Sequence, residues 1–328
     1  MEEPRTSPLL SQIGEREAIR RLAARLGTRA DVRIGIGDDC AVTEAAGSPF
    51  DWLLTSDPVI EGVHFLSDAP PGGIGHKAAG RVLSDIAACG GEPLWLLFNV
   101  VAPPDCPVRI LEAAYDGAAR LCSRHGAAIV GGDLARGERL EWHAFGVGRV
   151  PRGRAVLRSG ARPGDTIYVT GRLGGSGFRG RHLDFEPRVR EGRWLGDGGW
   201  ATAMLDVSDG LAADLRRLLE CSGVGARIRL PDIPVSDDAR ALAGNEEDAR
   251  RHALCDGEDF ELLFTVRPDR RADFERNWRA NFELDCTAIG EMTEKKERLL
   301  AIRADGGAIP CEETGYEHFR HRTAHDRR

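Results

Sequence analysis

The sequence lacks paired cysteines. Its eight, Cys40, Cys89, Cys106, Cys122, Cys221, Cys255, Cys286 and Cys311, show no C-x-x-C spacing, which argues against a zinc ribbon or dithiol redox motif and reads as reduced, largely buried thiols. Long apolar runs are missing too. The longest, Leu94 to Pro104, is broken by Asn99 and falls far short of the ~20 residues a membrane-spanning helix needs. The opening MEEPRTSPLL has no apolar core of the signal-peptide kind, so a cytoplasmic protein is expected. Basic charge is not in excess: 45 Lys and Arg face 52 Asp and Glu for a net charge of −7, which leaves no overall footprint for nucleic acid. RRLAARLG and the terminal HFRHRTAHDRR read as a solvated helix face and a frayed tail. Aromatics are scarce at 6%, whereas 40 of 328 residues are glycine. Glycine-lined ligand loops explain that balance, and so does a genomic base bias with ordinary loop content.

Phosphate-binding signatures are absent as well. No G-x-x-x-x-G-K-S/T segment occurs, which excludes a P-loop. No H-R-D or D-F-G set marks a protein kinase. Gly175 to Gly180 fits G-x-G-x-x-G after the strand candidate TIYVT, but Pro187 follows too soon to leave room for the crossover helix of a dinucleotide fold.

What is present is a chain long enough for two domains. Ile19, Leu22, Ala23 and Leu26 make one face of an amphipathic helix, expected to pack on the first domain. Strand-like runs at 33–37 and 52–56, a Gly/Ala-rich helix from His76 to Cys89, the apolar WLLFNVV, a helix over about 107–125 and strand-like RLEWHAFGVGRV follow. Val150-Pro151-Arg152-Gly153 is the best boundary, which divides the chain into 1–150 and 151–328. The second part opens with DTIYVTG and alternates helices near 211, 237–244 and 268–281 with strands ARIRL, ELLFTV and CTAIG. Interleaving without strict βαβ repetition predicts an α+β fold with mixed sheets.

The informative feature is a series of aspartates at or near the ends of apolar runs: Asp38-Asp39, Thr55-Ser56-Asp57, Ser84-Asp85, Gly132-Asp133 and Asp206-Val207-Ser208-Asp209. Carboxylate and hydroxyl oxygens without His or Cys are hard ligands, suited to Mg²⁺. Asp and Gly also mark ordinary turns. Ser84-Asp85 tells against that bland reading, because it lies inside an otherwise small and apolar helix, where an unpaired Asp is costly.

IGIGDDCAV, TSDPVIEGVHF, HKAAGRVLSDIAACGGEPLW, IVGGDLARG, GRAVLRSGARPGDTIYVTG, LDVSDGLAADL, DGEDFELLFTV and GYEHF occur in an order that resembles the thiamine-monophosphate kinase family, within the aminoimidazole ribonucleotide synthase superfamily. The likeness spans about residues 14–319. It implies ATP-dependent phosphorylation of thiamine monophosphate to thiamine diphosphate, on a homodimer whose N-terminal mixed sheets pair into a β-barrel while a C-terminal α/β domain completes the site. Carried over, the pattern makes Asp39, Thr55, Ser56, Asp57, Asp85, Asp133, Asp206 and Asp209 the Mg²⁺ shell. Gly132, Asp133, Arg158 and Ser208 become ATP contacts, and His64, Glu258 and Tyr316 substrate contacts.

No general base is needed, because the acceptor is a phosphate monoester with a second pKa of about 6. Direct in-line transfer is expected, without a phosphoenzyme. Three departures from the family stand out. Gly174-Gly175-Ser176 lacks the usual acid, the stretch after Gly180 is short, and Asp256 replaces a glycine that would take a left-handed conformation. Another ATP-using member of the superfamily, or a catalytically silent Mg-nucleotide binding homologue, is the alternative.

Overall fold

The computed structural model describes residues 7–295 and 298–319; the basic tail from 320 onward lies outside them. The N-terminal half contains α1 (Leu10–Ala23), β1 (Val32–Ile34), β2 (Ala41–Glu44), β3 (Phe50–Ile60), α2 (Pro71–Ala88), β4 (Glu92–Ala102), α3 (Val108–Arg124), β5 (Ala128–Arg136) and β6 (Glu141–Pro151). Its six strands form one sheet in the order β1-β2-β3-β6-β4-β5, mixed because β5 runs parallel to β4.

Helices α2 and α3 cover one face of this sheet. They approach closely because both carry glycine at the contact: a Cβ on Gly75 would sit 1.8 Å from the Ala114 carbonyl oxygen, and one on Gly117 would sit 1.9 Å from that of Gly72. Such proximity lets α2 bury nearly its whole length, which accounts for its run of small residues.

The C-terminal half contains β7 (Thr166–Thr170), α4 (Val189–Asp197), β8 (Ala201–Asp206), α5 (Leu211–Ser222), β9 (Gly225–Arg229), α6 (Asp237–Leu242), α7 (Glu246–Cys255), β10 (Leu262–Val266), α8 (Arg271–Asn281), β11 (Cys286–Thr293), β12 (Leu299–Ile302) and β13 (Ala308–Pro310). The seven strands run β13-β12-β9-β11-β7-β10-β8. One aliphatic core lies on this sheet, centred on α5 and α7 residues such as Leu215 and Ala253. The scarce aromatics gather in another, with Tyr168, Phe264, Phe274 and Trp278 packed around α4 and α8.

The α+β two-sheet expectation holds. Strands β2, β8, β12 and β13 and helices α4 and α7 add to the elements expected from sequence. Helix α1 departs from expectation. Ile19 and Leu22, with Leu26 beyond the helix end, are exposed and only Gly14 and Ala18 are buried, while Arg16 makes an ion pair with Glu220 of α5 at 3.1 Å. The cysteines are all free, but only Cys40, Cys89, Cys122 and Cys311 are buried. Among the described residues no helix is long and apolar enough to cross a membrane.

Candidate active site

Three aspartates converge where the halves meet. Asp39 closes the loop before β2, Asp85 sits in the last turns of α2, and Asp206 ends β8. One carboxylate oxygen from each lies within 4.8 Å of the others. Burial, with the neighbouring carboxylate charges, pushes Asp85 well above the usual carboxylate range and Asp206 up to about 8. Thr55 Oγ1 donates to Asp85 at 2.5 Å, Ser84 Oγ donates to Asp206 at 2.5 Å, and Arg158 Nη2 donates to Asp39 at 2.6 Å. These bonds leave Asp39 Oδ2 buried without a partner.

An orphaned carboxylate oxygen facing two more carboxylates fits a divalent cation with a taste for hard oxygen. Asp38, Asp39 and Cys89 also come within range of one another. That group suits Mg²⁺ less well, since the Cys89 thiol is raised above its usual range in a setting where its hydrogen bond to Cys40 opposes burial, and a thiol is a soft donor.

Beside the acids lies a buried cationic cluster built mainly by α2. Lys77, Arg81 and Asp85 follow one another at i, i+4 and i+8, which places them on one helix face. Lys77 Nζ donates to the His64 carbonyl oxygen at 2.6 Å and is 2.5 Å from Glu258 Oε1. It also lies 2.7 Å from His182 Nδ1, which is 3.2 Å from Glu258 Oε2. Burial pulls Lys77 down to about 8. Burial alone would raise Glu258, but the His182 contact and the Lys77 and Arg81 charges outweigh it and hold the carboxyl at about 2. His64 is pulled down to about 3 by burial and the Arg81 charge, and its Nδ1 accepts the Ile60 N–H at 3.1 Å.

Glu258 and Phe260 both have positive φ, 67° and 52°. Strain of this kind in non-glycine residues persists where the surroundings over-determine it. Here backbone bonds from Glu258 to the Ser208 carbonyl and from Phe260 to that of Val207, each 2.8 Å, clamp the segment across the end of β8. Asp256, expected in the left-handed region, is extended instead, at φ −71°. Its carboxylate accepts the Gly175 N–H at 2.8 Å, so an acid reaches the 174–176 loop from the opposite side. The glycines of that loop serve close packing: a Cβ on Gly174 or Gly175 would lie 2.6 Å from the backbone nitrogen of Ala253 or Ala239.

The remaining candidates divide. Thr55 and Asp57 face α2, where Asp57 Oδ1 is 2.8 Å from Arg81 Nη2. Ser56 between them is exposed on the other face, so its side chain is turned away from the acidic centre. Gly132 and Asp133 lie on the outer strand β5, with Asp133 in register with Asn99 on that same open face. Asp133 is therefore outside the acidic centre of its own chain. Asp209 is engaged by Arg217, and the backbone N–H groups of Ser208 and Asp209 donate to the buried Asp214 at 3.0 and 2.9 Å. Tyr316 N–H donates to the Asp209 carbonyl at 2.8 Å, and its ring meets that of His318, which lies 5.8 Å from His64. Sequence reasoning missed Lys77, Arg81, His182 and Asp214. The i, i+4, i+8 spacing on α2 was the available signal for the first two.

Residues 37–150 match the AIR synthase related protein N-terminal domain and residues 162–301 the corresponding C-terminal domain. Thiamine-monophosphate kinase of Escherichia coli K12 is 37% identical over 330 residues, covering 93% of this chain and 98% of the relative. That of Bacillus subtilis 168 is 32% identical over 329 residues, covering 93% and 99%. A solved structure described as AaThiL complexed with AMPPCP and TMP shares 31% identity at a TM-score of 0.82, covering 95% of this chain and 99% of the other. The Stenotrophomonas maltophilia K279a thiamine-monophosphate kinase gives 33% and 0.71, covering 89% and 96%. Hydrogenase maturation protein HypE, at 19% identity and a TM-score of 0.67 over 88% of this chain and 95% of its own, shares the fold alone. With both domains matched and relatives this similar over nearly their whole length, the chain belongs to the thiamine-monophosphate kinase family of AIR synthase related proteins.

Proposed function

We propose that this chain transfers the γ-phosphoryl group of ATP directly to the phosphate of thiamine monophosphate, giving thiamine diphosphate and ADP in the cytoplasm. The observation that carries the reading is an acidic centre shared by both halves with a cationic cluster one helical turn away on α2. Residues 1–150 supply Asp39, Thr55, Asp57 and Asp85, and residues 151–328 supply Asp206 and Glu258. Asp39, Asp85 and Asp206 would hold Mg²⁺, with Asp57 and the loop bearing Asp209 beside them. When bound, Mg²⁺ offsets the repulsion between donor and acceptor phosphates and the charge that builds on the transferring group. Arg158 and Ser208 flank the donor side. His64, Glu258 and Tyr316 orient the acceptor, whose ionised oxygen attacks without a general base because its second pKa is about 6.

The active unit is a homodimer. Leu54, Trp95, Leu97 and Phe145 stand 41, 43, 37 and 40% exposed on the uncovered face of the N-terminal sheet, a patch that a second copy would bury. Pairing there also gives Ser56, Gly132 and Asp133 a role at the contact between copies. The direct test is incubation with ATP, Mg²⁺ and thiamine monophosphate and chromatography of the products. Equimolar thiamine diphosphate and ADP are expected. Turnover only with formylglycinamidine ribonucleotide would replace this reading with that of the synthase.

A further inference from the structure

Arg81 lies between the acidic centre and Glu258 and is claimed by neither set of expected ligands. Its Nη2 is 2.8 Å from Asp57 Oδ1 and its Nη1 is 3.6 Å from Glu258 Oε1. The guanidinium carbon sits 5.8 Å from the centre of the Phe260 ring. Only 13% of the side chain is exposed, and Nε is buried with no hydrogen-bond partner. A guanidinium has five N–H donors in a rigid fork that matches a carboxylate or a phosphate. Asp57 engages only one side of that fork here. Spare buried donors are costly unless something else comes to accept from them.

Charge counting points the same way. Two cations, Lys77 and Arg81, are matched in ion pairs by two anions, Asp57 and Glu258, so the cluster is balanced. Asp57 belongs to the set expected to serve a divalent cation. Once Asp57 serves that ion, Arg81 loses its closest partner. An arginine cannot shed its proton to escape, and the Asp57 charge beside it raises its pKa further despite burial. Glu258 cannot take it over in full, because Lys77 already holds Oε1 at 2.5 Å and His182 faces Oε2 at 3.2 Å. An incoming dianionic phosphate monoester is the anion that restores the balance.

Resting on the reading of this site as a thiamine-phosphate kinase, we infer that Arg81 is handed from Asp57 to the acceptor phosphate when a divalent cation engages Asp57. Metal entry and acceptor binding are thereby coupled through one side chain. The coupling is reciprocal: each ligand tightens the other by the same factor. It also sets an order, since without the cation Arg81 remains on Asp57 and the acceptor phosphate meets an occupied guanidinium.

Three variants test this by calorimetry, using Mg²⁺ alone and inorganic phosphate as probes, alongside thiamine monophosphate. Arg81→Met keeps a stem against Phe260 and removes the fork. It should bind Mg²⁺ about 3- to 10-fold more tightly, since the competitor for Asp57 is gone, and phosphate in the presence of Mg²⁺ about 10- to 100-fold more weakly, the scale of a lost charge-assisted pair. Arg81→Lys should recover part of the phosphate binding. Asp57→Asn frees Arg81 without a metal, so in the absence of Mg²⁺ it should bind phosphate about 3- to 10-fold more tightly than the wild type does.

Unchanged Mg²⁺ and phosphate affinities in Arg81→Met, with only a lower melting temperature, would reduce Arg81 to a structural tie and overturn the inference. Should Arg81→Met fail to fold, Asp57→Asn decides alone: phosphate binding without Mg²⁺ that is no tighter than the wild type's refutes the hand-over. If the wild-type chain makes no thiamine diphosphate while the Mg²⁺ and phosphate results come out as expected, the proposed function fails and the hand-over to a phosphate stands.

Discussion

In the N-terminal sheet, strands β3, β4 and β6 alternate buried and exposed residues, and helices cover only one side. In the C-terminal sheet, β7 and β10 are buried at every position, with an aliphatic core and an aromatic core packed around the strands. The second half thus satisfies its own apolar surface, whereas the first presents Leu54, Trp95, Leu97 and Phe145 to solvent. The contrast teaches how the site is divided. The self-contained half offers a fixed frame, on which Asp206 and the clamped 257–260 segment stand. The other half brings most of the carboxylates on α2, β3 and the loop before β2, and carries the face proposed to join a second copy.

The largest effect should come from the residue that bridges the two. Asp206→Asn removes the C-terminal half's carboxylate from the acidic centre while an amide oxygen can still accept from Ser84. Turnover should fall about 10²- to 10³-fold, the scale of losing one preorganised electrostatic group. The metal-free melting temperature at pH 8 should not fall, because a buried acid held at about 8 gives way to a neutral group. Activity within a few-fold of wild type would mean that the C-terminal half contributes frame and no charge.

The open face is tested by Leu97→Glu, which puts a carboxylate in the centre of the exposed apolar patch. Light scattering should give a dimer for the wild type and a monomer for the variant. Activity should drop with the dimer by about tenfold or more, since burying an unpaired charge prevents re-association. A fully active monomer would make the two halves equally self-sufficient.

Much of this was legible beforehand. The alternation in WLLTS and RLEWHAFGVGRV gives the long strands, the turn signals around Asp39 and Asp206 give two acidic loops, and the costly place of Asp85 inside an apolar helix marks the third acid. Three parts were not. Strand β8 ends in Asp206 and is flanked by Gly-rich sequence, so its short apolar run carries no periodicity. The open-face position of Ser56 depends on strand alternation around its neighbours, which the motif-level reading passed over. Asp256 looked like a strained substitute for glycine, but the positive φ lies at Glu258 and Phe260, where tertiary bonds to the 207–208 backbone impose it. Local propensity says nothing about such a crossing.

A smaller effect follows from pH. Asp38, Asp214 and Asp206 are raised by burial first, to about 6, 7 and 8. In the folded, metal-free chain they hold protons that the unfolded chain releases above about pH 4. Their contribution to stability is therefore complete below that pH and lost as pH rises through 6 to 8. His64, lowered to about 3, works in the opposite sense only below about pH 6.5, where the unfolded imidazole is protonated. Between pH 6.5 and 8 the metal-free melting temperature should fall by roughly 3–8 °C. Excess Mg²⁺ should remove most of that fall by favouring ionised carboxylates. A flat profile without metal would show that the acidic centre between the halves is not electrostatically loaded.

The smallest effect concerns Tyr316, which ties the end of the described chain to the C-terminal half while facing the N-terminal one. Its N–H donates to the Asp209 carbonyl, and its ring lies against His318, which neighbours His64. The acceptor has a cationic thiazolium and a flat aminopyrimidine. An aromatic face holds either with an attraction of ~0.5–2 kcal/mol, so Tyr316→Ala should raise KM for thiamine monophosphate by about 3- to 30-fold and leave that for ATP nearly unchanged. Tyr316→Phe retains the ring while removing the hydroxyl that lies 3.2 Å from His318 Nδ1, so its effect should be milder. If Tyr316 merely anchors the chain to the C-terminal half, Tyr316→Ala lowers the melting temperature and both KM values stay put. Measuring the three quantities on one preparation separates an aromatic wall between the halves from a fastening that belongs to the C-terminal half alone.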